Sequence, residues 1–185
     1  MAEFEVKNLG VDLTLSESEI EILIDLISQV LELFGDFNYL HHKNFDDPFA
    51  ALMDFDIGTE KPSDPILQRL MPDAYQDEED SLDFRRFTQN HIQTEKQISL
   101  NLAREQLLIL HSNKTNKISG LPYEQWLIAL NDVRLALGTR LKIDENSYEY
   151  FEKLPENDKS KPLYAVYFWL GSLQEQLLES ISQIE

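Results

Sequence analysis

Pro162-Leu163-Tyr164-Ala165-Val166-Tyr167-Phe168-Trp169-Leu170-Gly171-Ser172-Leu173-Gln174-Glu175-Gln176-Leu177-Leu178-Glu179-Ser180-Ile181 is the stretch on which the fold turns. Leu163, Val166, Leu170, Leu173, Leu177 and Ile181 recur at steps of three and four, the period of a helix that buries one face. Pro162 suits the first helical turn, where its missing N–H costs nothing. Each stripe residue is expected to contribute ~1.5–3 kcal/mol on burial. Truncating this helix should therefore unfold the domain.

Such a helix needs partners, and the rest of the chain supplies them. Ser16-Glu17-Ser18-Glu19 reads as a capping box, in which hydroxyl and carboxylate each satisfy a free backbone N–H. A helix is expected from there to Phe34, stopped by Gly35, with Ile20, Leu23, Ile27, Val30 and Phe34 inward and Ile24 and Leu31 beside them. A long helix is expected from Ser81 to about Leu110. It carries one stripe of Phe84, Phe87, His91, Ile98 and Leu102 and a shifted one of Leu100, Ala103, Leu107 and Leu110. Ser119-Gly120-Leu121-Pro122 opens a further helix ending at Gly138, with Trp126, Leu130, Val133 and Leu137 on its apolar face. Residues 112–117 and 142–161 read as polar loops. Phe4 and Val6, then Val11, Leu13 and Leu15, alternate about Asn8-Leu9-Gly10, the pattern of a short β-hairpin. The expected fold class is mainly α: an orthogonal or bundle-like helical domain with a short N-terminal β-hairpin, a single domain over residues 1–185.

The break in this pattern is residues 36–80. Pro48, Pro62, Pro65 and Pro72 punctuate it, and Asp47 or Asp64 could cap a short helix. Phe45, Phe49, Leu52, Met53, Leu67 and Leu70 are its candidate anchors. Twelve carboxylates face only Lys43, Lys61 and Arg69, so the segment holds half of the net charge of −18. A lid, an interaction surface and a plain solvated connector all remain open for it.

Charge and composition then limit function. With 34 acidic residues against 16 basic, the surface lacks the cations that displace counterions from phosphate backbones and anionic lipids. Direct binding to nucleic acid or membrane is disfavoured, whereas a basic protein would be steered toward the chain. No cysteine is present, which removes disulfides, thiolate nucleophiles and cysteine-rich metal sites. The N-terminus has no signal-peptide pattern and no apolar run approaches ~20 residues, so a cytoplasmic location is expected.

Catalytic patterns are absent: none of the six glycines falls in a phosphate loop, and no serine-hydrolase or kinase motif occurs. His41-His42 beside Asp46 and Asp47 make a poor metal site, because adjacent residues of an extended segment point opposite ways. His91 on a helix stripe reads as a hydrogen-bonded core histidine. The expectation is no enzyme, no metal and no cofactor. What stands out is Leu130-Asn131-Asp132-Val133-Arg134-Leu135-Ala136-Leu137-Gly138-Thr139-Arg140, with Asp83-Phe84-Arg85-Arg86-Phe87 and Gln174 in the last stripe. Convergence of Arg86, Asp132 and Arg134 would make a polar pocket, with Asn131, Arg140 and Gln174 as further candidates. It would equally well make an ion-pair network that fixes how helices dock.

These same blocks carry a resemblance. Phe84-Arg85-Arg86-Phe87-Thr88, residues 126–141, Trp169-Leu170 with Leu173-Gln174-Glu175, and Asp64-Pro65 followed by Leu70-Met71-Pro72-Asp73-Ala74-Tyr75 resemble the actinobacterial domain-of-unknown-function family numbered two thousand seventeen. The resemblance spans most of the chain. It implies no established enzymatic activity and a gene that often lies beside that of the Clp protease adaptor. For some members it implies an oxidative-stress regulator that acts with a sigma factor and senses oxidation through a cysteine disulfide. This chain departs there, since without cysteine no thiol switch can operate in it.

Two readings follow. In the first, the chain is a regulatory interaction module whose acidic surface, the run Asp77-Glu78-Glu79-Asp80 above all, engages a basic partner protein such as a component of transcription or stress-response machinery. In the second, it is a small-molecule-binding domain or unrecognised enzyme with a polar pocket around Arg86, Asp132 and Arg134. Self-association through an apolar helix face stays open.

Overall fold

A computed structural model describes residues 2–7, 10–36 and 61–184. The expected anchors Phe45, Phe49, Leu52 and Met53, the cap at Asp47 and the pair His41-His42 lie outside the described residues. Among those described, six helices and a small antiparallel sheet occur: β1 (Glu3–Lys7), β2 (Gly10–Thr14), α1 (Glu17–Asp36), α2 (Pro65–Leu70), α3 (Glu78–Asn113), β3 (Lys117–Ile118), α4 (Tyr123–Leu141), α5 (Ser147–Lys153) and α6 (Lys161–Ser182). The chain is mainly α, as its periodicity requires.

The N-terminal hairpin pairs Glu3 with Thr14 through Lys7 with Gly10. A third strand, β3, adds Leu13 opposite Ile118 and so turns the hairpin into a three-stranded sheet. Asp12 ties this sheet together. It pairs with Lys7 at 2.8 Å and Lys117 at 3.1 Å, and accepts the Gly120 backbone N–H at 3.0 Å. Hydrogen bonds from Lys7, Gly120 and Lys117 hold its carboxyl well below the usual range.

The capping box at the head of α1 forms as read. Glu19 accepts the Ser16 backbone N–H at 2.8 Å, and Ser16 Oγ accepts the Glu19 N–H at 3.4 Å. Ile20, Leu23, Ile27, Val30 and Phe34 are all buried. The helix runs through Gly35 to Asp36 rather than stopping there. Asp64 caps α2, taking the Ile66 and Leu67 N–H groups at 2.7 and 3.4 Å, with Pro65 in the first turn.

At the centre lies α4, which packs against α1, α2, α3 and α6. A helix surrounded by others buries residues on all sides, and Trp126, Ala129, Leu130, Asp132, Val133, Ala136 and Leu137 are buried. Gly138 does not end it. The helix continues to Leu141 and closes on Lys142 in the left-handed region, φ 54°, whose N–H returns to the Gly138 and Thr139 carbonyls.

Three further expectations need correction. The long helix starts at Glu78 with Asp77 as its cap, and Ser81 lies inside it, donating its hydroxyl to the Tyr75 carbonyl. Its first apolar stripe faces outward in part: Phe87 is 75% and Ile98 57% exposed and His91 is an exposed partner of Glu95 rather than a core residue, whereas Phe84 is half-buried and Leu102 packs against the core. Ser81, Arg85, Gln89 and Gln93 point inward instead. This half of α3 meets polar groups, the Phe34 carbonyl at the end of α1 (from Gln93) and the Asp73 carboxylate (from Arg85), so polar side chains are buried there. The second stripe, Leu100, Ala103, Leu107 and Leu110, is core as expected.

Residues 142–161 are not all loop, for α5 forms within them. Asp144 accepts the Asn146 N–H and the Ser147 hydroxyl, each at 2.9 Å, and Tyr148 and Phe151 set their rings 5.2 and 5.3 Å from that of Phe168 on α6. On α6 itself, Leu170, Leu173 and Leu177 are fully buried, whereas Leu163 is 43% exposed. In the helix's first turn it is Tyr164 that is buried, packed against Tyr150 and Phe151 of α5.

Candidate functional site

Three polar residues of the central helix reach three different neighbours. Asp132 is fully buried and its Oδ1 accepts from Lys96 Nζ of α3 at 2.6 Å. Burial raises its carboxyl above the ordinary range, against the opposing pull of the Lys96 charge and of hydrogen bonds from Lys96 and Asn131. Arg134 turns the other way and donates from Nη1 to Gln174 Oε1 of α6 at 3.1 Å. Arg140, in the last turn, donates to Gln29 Oε1 of α1 at 2.9 Å. Residues 132, 134 and 140 thus dock α4 onto α3, α6 and α1 in turn.

Arg86 does not join them. It sits ten residues before Lys96 on α3, about 15 Å along the axis at 1.5 Å per residue, and pairs with Asp83 at 3.5 Å. The contemplated cluster of Arg86, Asp132 and Arg134 is therefore replaced by separate contacts. Asp132 takes a lysine that sequence reasoning did not consider. Lys96 carried a usable signal: a lone cation in the middle of α3, facing a helix whose only interior carboxylate is Asp132.

A cavity of about 320 Å³ does open beside Arg134. Arg69 of α2, Asn131, Arg134 and Thr139 of α4, Lys142 after it and Tyr167 of α6 line it, with Leu135 and Ile143 as apolar wall. Among the described residues no carboxylate does. Two glycines shape the wall. A Cβ on Gly171 would lie 3.2 Å from Arg134 Nη2 and 3.3 Å from its Cζ, so the bare backbone lets the guanidinium lie flat on α6. A Cβ on Gly138 would stand 3.0 Å from Tyr167 Cε2, so that glycine admits the tyrosine ring. The ring centre in turn lies 5.2 Å from Arg134 Cζ, within cation–π range. Arg134 is thus held by an amide, a ring and a backbone, none of which neutralises it.

The acidic run lies apart from this cavity, at the head of α3. Asp77 Oδ1 accepts the Glu79 and Asp80 N–H groups at 2.9 and 3.2 Å, and all four acids of the run are exposed. The positive end of the helix dipole favours carboxylates there, so part of the run's presence is explained by α3 itself. Among the described residues, no group of three His, Asp or Glu is placed to hold a metal ion, and no helix is long and apolar enough to cross a membrane.

Comparison with known proteins adds the family. Proteins named oxidative stress regulator AosR from Mycobacterium tuberculosis and Mycobacterium bovis are each 31% identical over 131 residues, covering 64% of this chain and 59% of theirs. A Mycobacterium leprae protein that carries the same name provisionally is 32% identical over 135 residues, with the same shares covered. The match therefore spans about three fifths of these relatives' length. No solved structure matches the chain significantly. Residues 1–181 match the family described as Domain of unknown function (DUF2017), and the chain belongs to that family.

Proposed function

We propose that this chain is a regulatory protein that acts by binding a basic partner protein, and that the acidic turn at the head of α3 forms part of the contact. The observation that carries the regulatory role is the name shared by its relatives, oxidative stress regulator. The partner's charge follows from the chain's own: a net −18 steers cations inward, and Glu78, Glu79 and Asp80 present carboxylates to solvent on a rigid helix. A regulator of this kind needs no catalytic group of its own. With no cysteine in the chain, a disulfide within it has no atoms to form from, so this reading rests on binding and not on a thiol switch.

The test is capture from bacterial lysate at low and moderate salt, identification of the bound protein by mass spectrometry, and titration of that protein against two forms of the chain. The variant carries Glu78→Gln, Glu79→Gln and Asp80→Asn and keeps Asp77, which the helix needs as its cap. At about 0.5 kcal/mol for each rim charge, the variant should bind roughly tenfold more weakly, and wild-type binding should weaken as salt rises. Equal affinity for both forms at both salt concentrations would remove the acidic turn from the interface.

A further inference from the structure

We propose that the cavity between α2, α4 and α6 is a binding site for a small, multiply charged anion of the phosphate type, held by Arg69, Arg134 and Lys142. The inference goes beyond the protein-binding reading, and its failure would leave that reading untouched.

Three observations support it. First, among the described residues the cavity gathers three cations and no carboxylate, in a chain with twice as many acids as bases. Second, none of the three has an ion-pair partner among the described residues, and Arg69 and Lys142 make no side-chain hydrogen bond there either. Helix C-termini attract cations, which accounts for Arg69 ending α2 and Lys142 following α4. It does not account for Arg134, which lies mid-helix, nor for the convergence of all three on one space. Third, the arginine is prepared in advance. Gly171, the Tyr167 ring and Gln174 fix its guanidinium without neutralising it, and Nε is buried with no hydrogen-bond partner. A planar fork oriented in this way suits the oxygens of a phosphoryl or carboxylate group.

The chain's acidity does not forbid this. At physiological salt the Debye length is about 8 Å, so remote carboxylates are screened while cations at the cavity wall act at full strength. A volume of about 320 Å³ lies at the small end of ligand sites, which suits a metabolite-sized anion better than a nucleotide. Asn131 stands at the wall as a further polar contact, while the Thr139 hydroxyl beside it already donates to the Leu135 carbonyl at 2.8 Å and is left with lone pairs only. Thr139 is on that account a poor anion contact, and the affinity falls to the three cations.

Isothermal titration of the full chain at about 0.15 M KCl, with pyrophosphate, inorganic phosphate and citrate as separate probes, decides it. The expected result is a saturable one-to-one isotherm below ~1 mM for pyrophosphate, weakened about tenfold in Arg69→Gln and about tenfold in Lys142→Gln. Both residues are exposed, so these variants should melt with the wild type. Lys153→Gln, on α5 and outside the cavity, should bind unchanged. Citrate binding more tightly than pyrophosphate, with the same sensitivity to Arg69 and Lys142, would place the site with polycarboxylates and overturn the phosphate assignment. Absence of binding by all three probes, or equal binding by the Arg69→Gln/Lys142→Gln double variant, would overturn the site.

Discussion

The Lys96–Asp132 pair offers a quantitative test of how the central helix is held. The two charges sit 2.6 Å apart, with Asp132 fully buried and the Lys96 side chain 16% exposed. At an effective dielectric of ~20 their attraction is about 6 kcal/mol. Withdrawing each ion from water costs several kcal/mol, so the pair as a whole nearly breaks even while each partner alone is a liability. Lys96→Met should therefore cost about 3–5 kcal/mol at neutral pH, because it strands a carboxylate that nothing else neutralises. Asp132→Leu should cost less, about 1–3 kcal/mol, since the lysine's partial exposure lets its ammonium reach water. The double variant Lys96→Met/Asp132→Leu should lie within ~1 kcal/mol of the wild type. Urea titrations of the four proteins, followed by the fluorescence of Trp126 and Trp169, complete the cycle. The pH dependence of Lys96→Met has a fixed sign. Burial already raises the folded Asp132 pKa, and losing Lys96 raises it further. Such a group contributes fully below the unfolded value near 4 and loses its contribution as pH rises through the folded value. The variant's deficit should thus be smaller at pH 5 than at pH 8. A double variant as unstable as the sum of the single ones would refute the argument.

Two further outcomes follow from burial and charge. Leu170→Ala should cost about 2–5 kcal/mol and Leu163→Ala less than about 0.5, the first residue being fully buried and the second 43% exposed; equal shifts in urea midpoint would contradict the orientation of α6. Asp12→Asn should be less stable than the wild type at neutral pH, with the gap closing as pH falls below ~4, because a depressed carboxylate stabilises above its unfolded pKa and ceases to do so as it is protonated. A gap that stays constant from pH 6 to pH 3 would remove Asp12 from the account.

How far the residues announced this structure depends on what each signal measures. Periodicity reports burial against apolar neighbours, so α1, the C-terminal half of α3, α4 and most of α6 were legible. The same signal misleads where an element meets polar groups. On α3, Arg85 and the two glutamines face inward because α1 ends in free carbonyls there, and Phe87 consequently faces out. Gly138 read as a terminator, whereas it and Gly171 each make room for one side chain of a neighbouring helix. That role depends on tertiary distances, which no local pattern contains. For the candidate site, Asn131, Arg134 and Gln174 were found through their unusual placement in apolar stripes. Arg69 and Lys142 were missed as site residues because each, taken alone, is an ordinary cation at a helix end.

Asp12 binds Gly120 across 108 residues of chain, and β2 is completed only by Lys117 and Ile118. During synthesis the third strand is made about a hundred residues after the hairpin, roughly 5–20 s at bacterial elongation rates. Through that interval Val11, Leu13 and Leu15, all buried in the finished molecule, have no interior to enter. The hairpin is thus made well before it can settle, and nascent chains that end short of Lys117 should present it to chaperones.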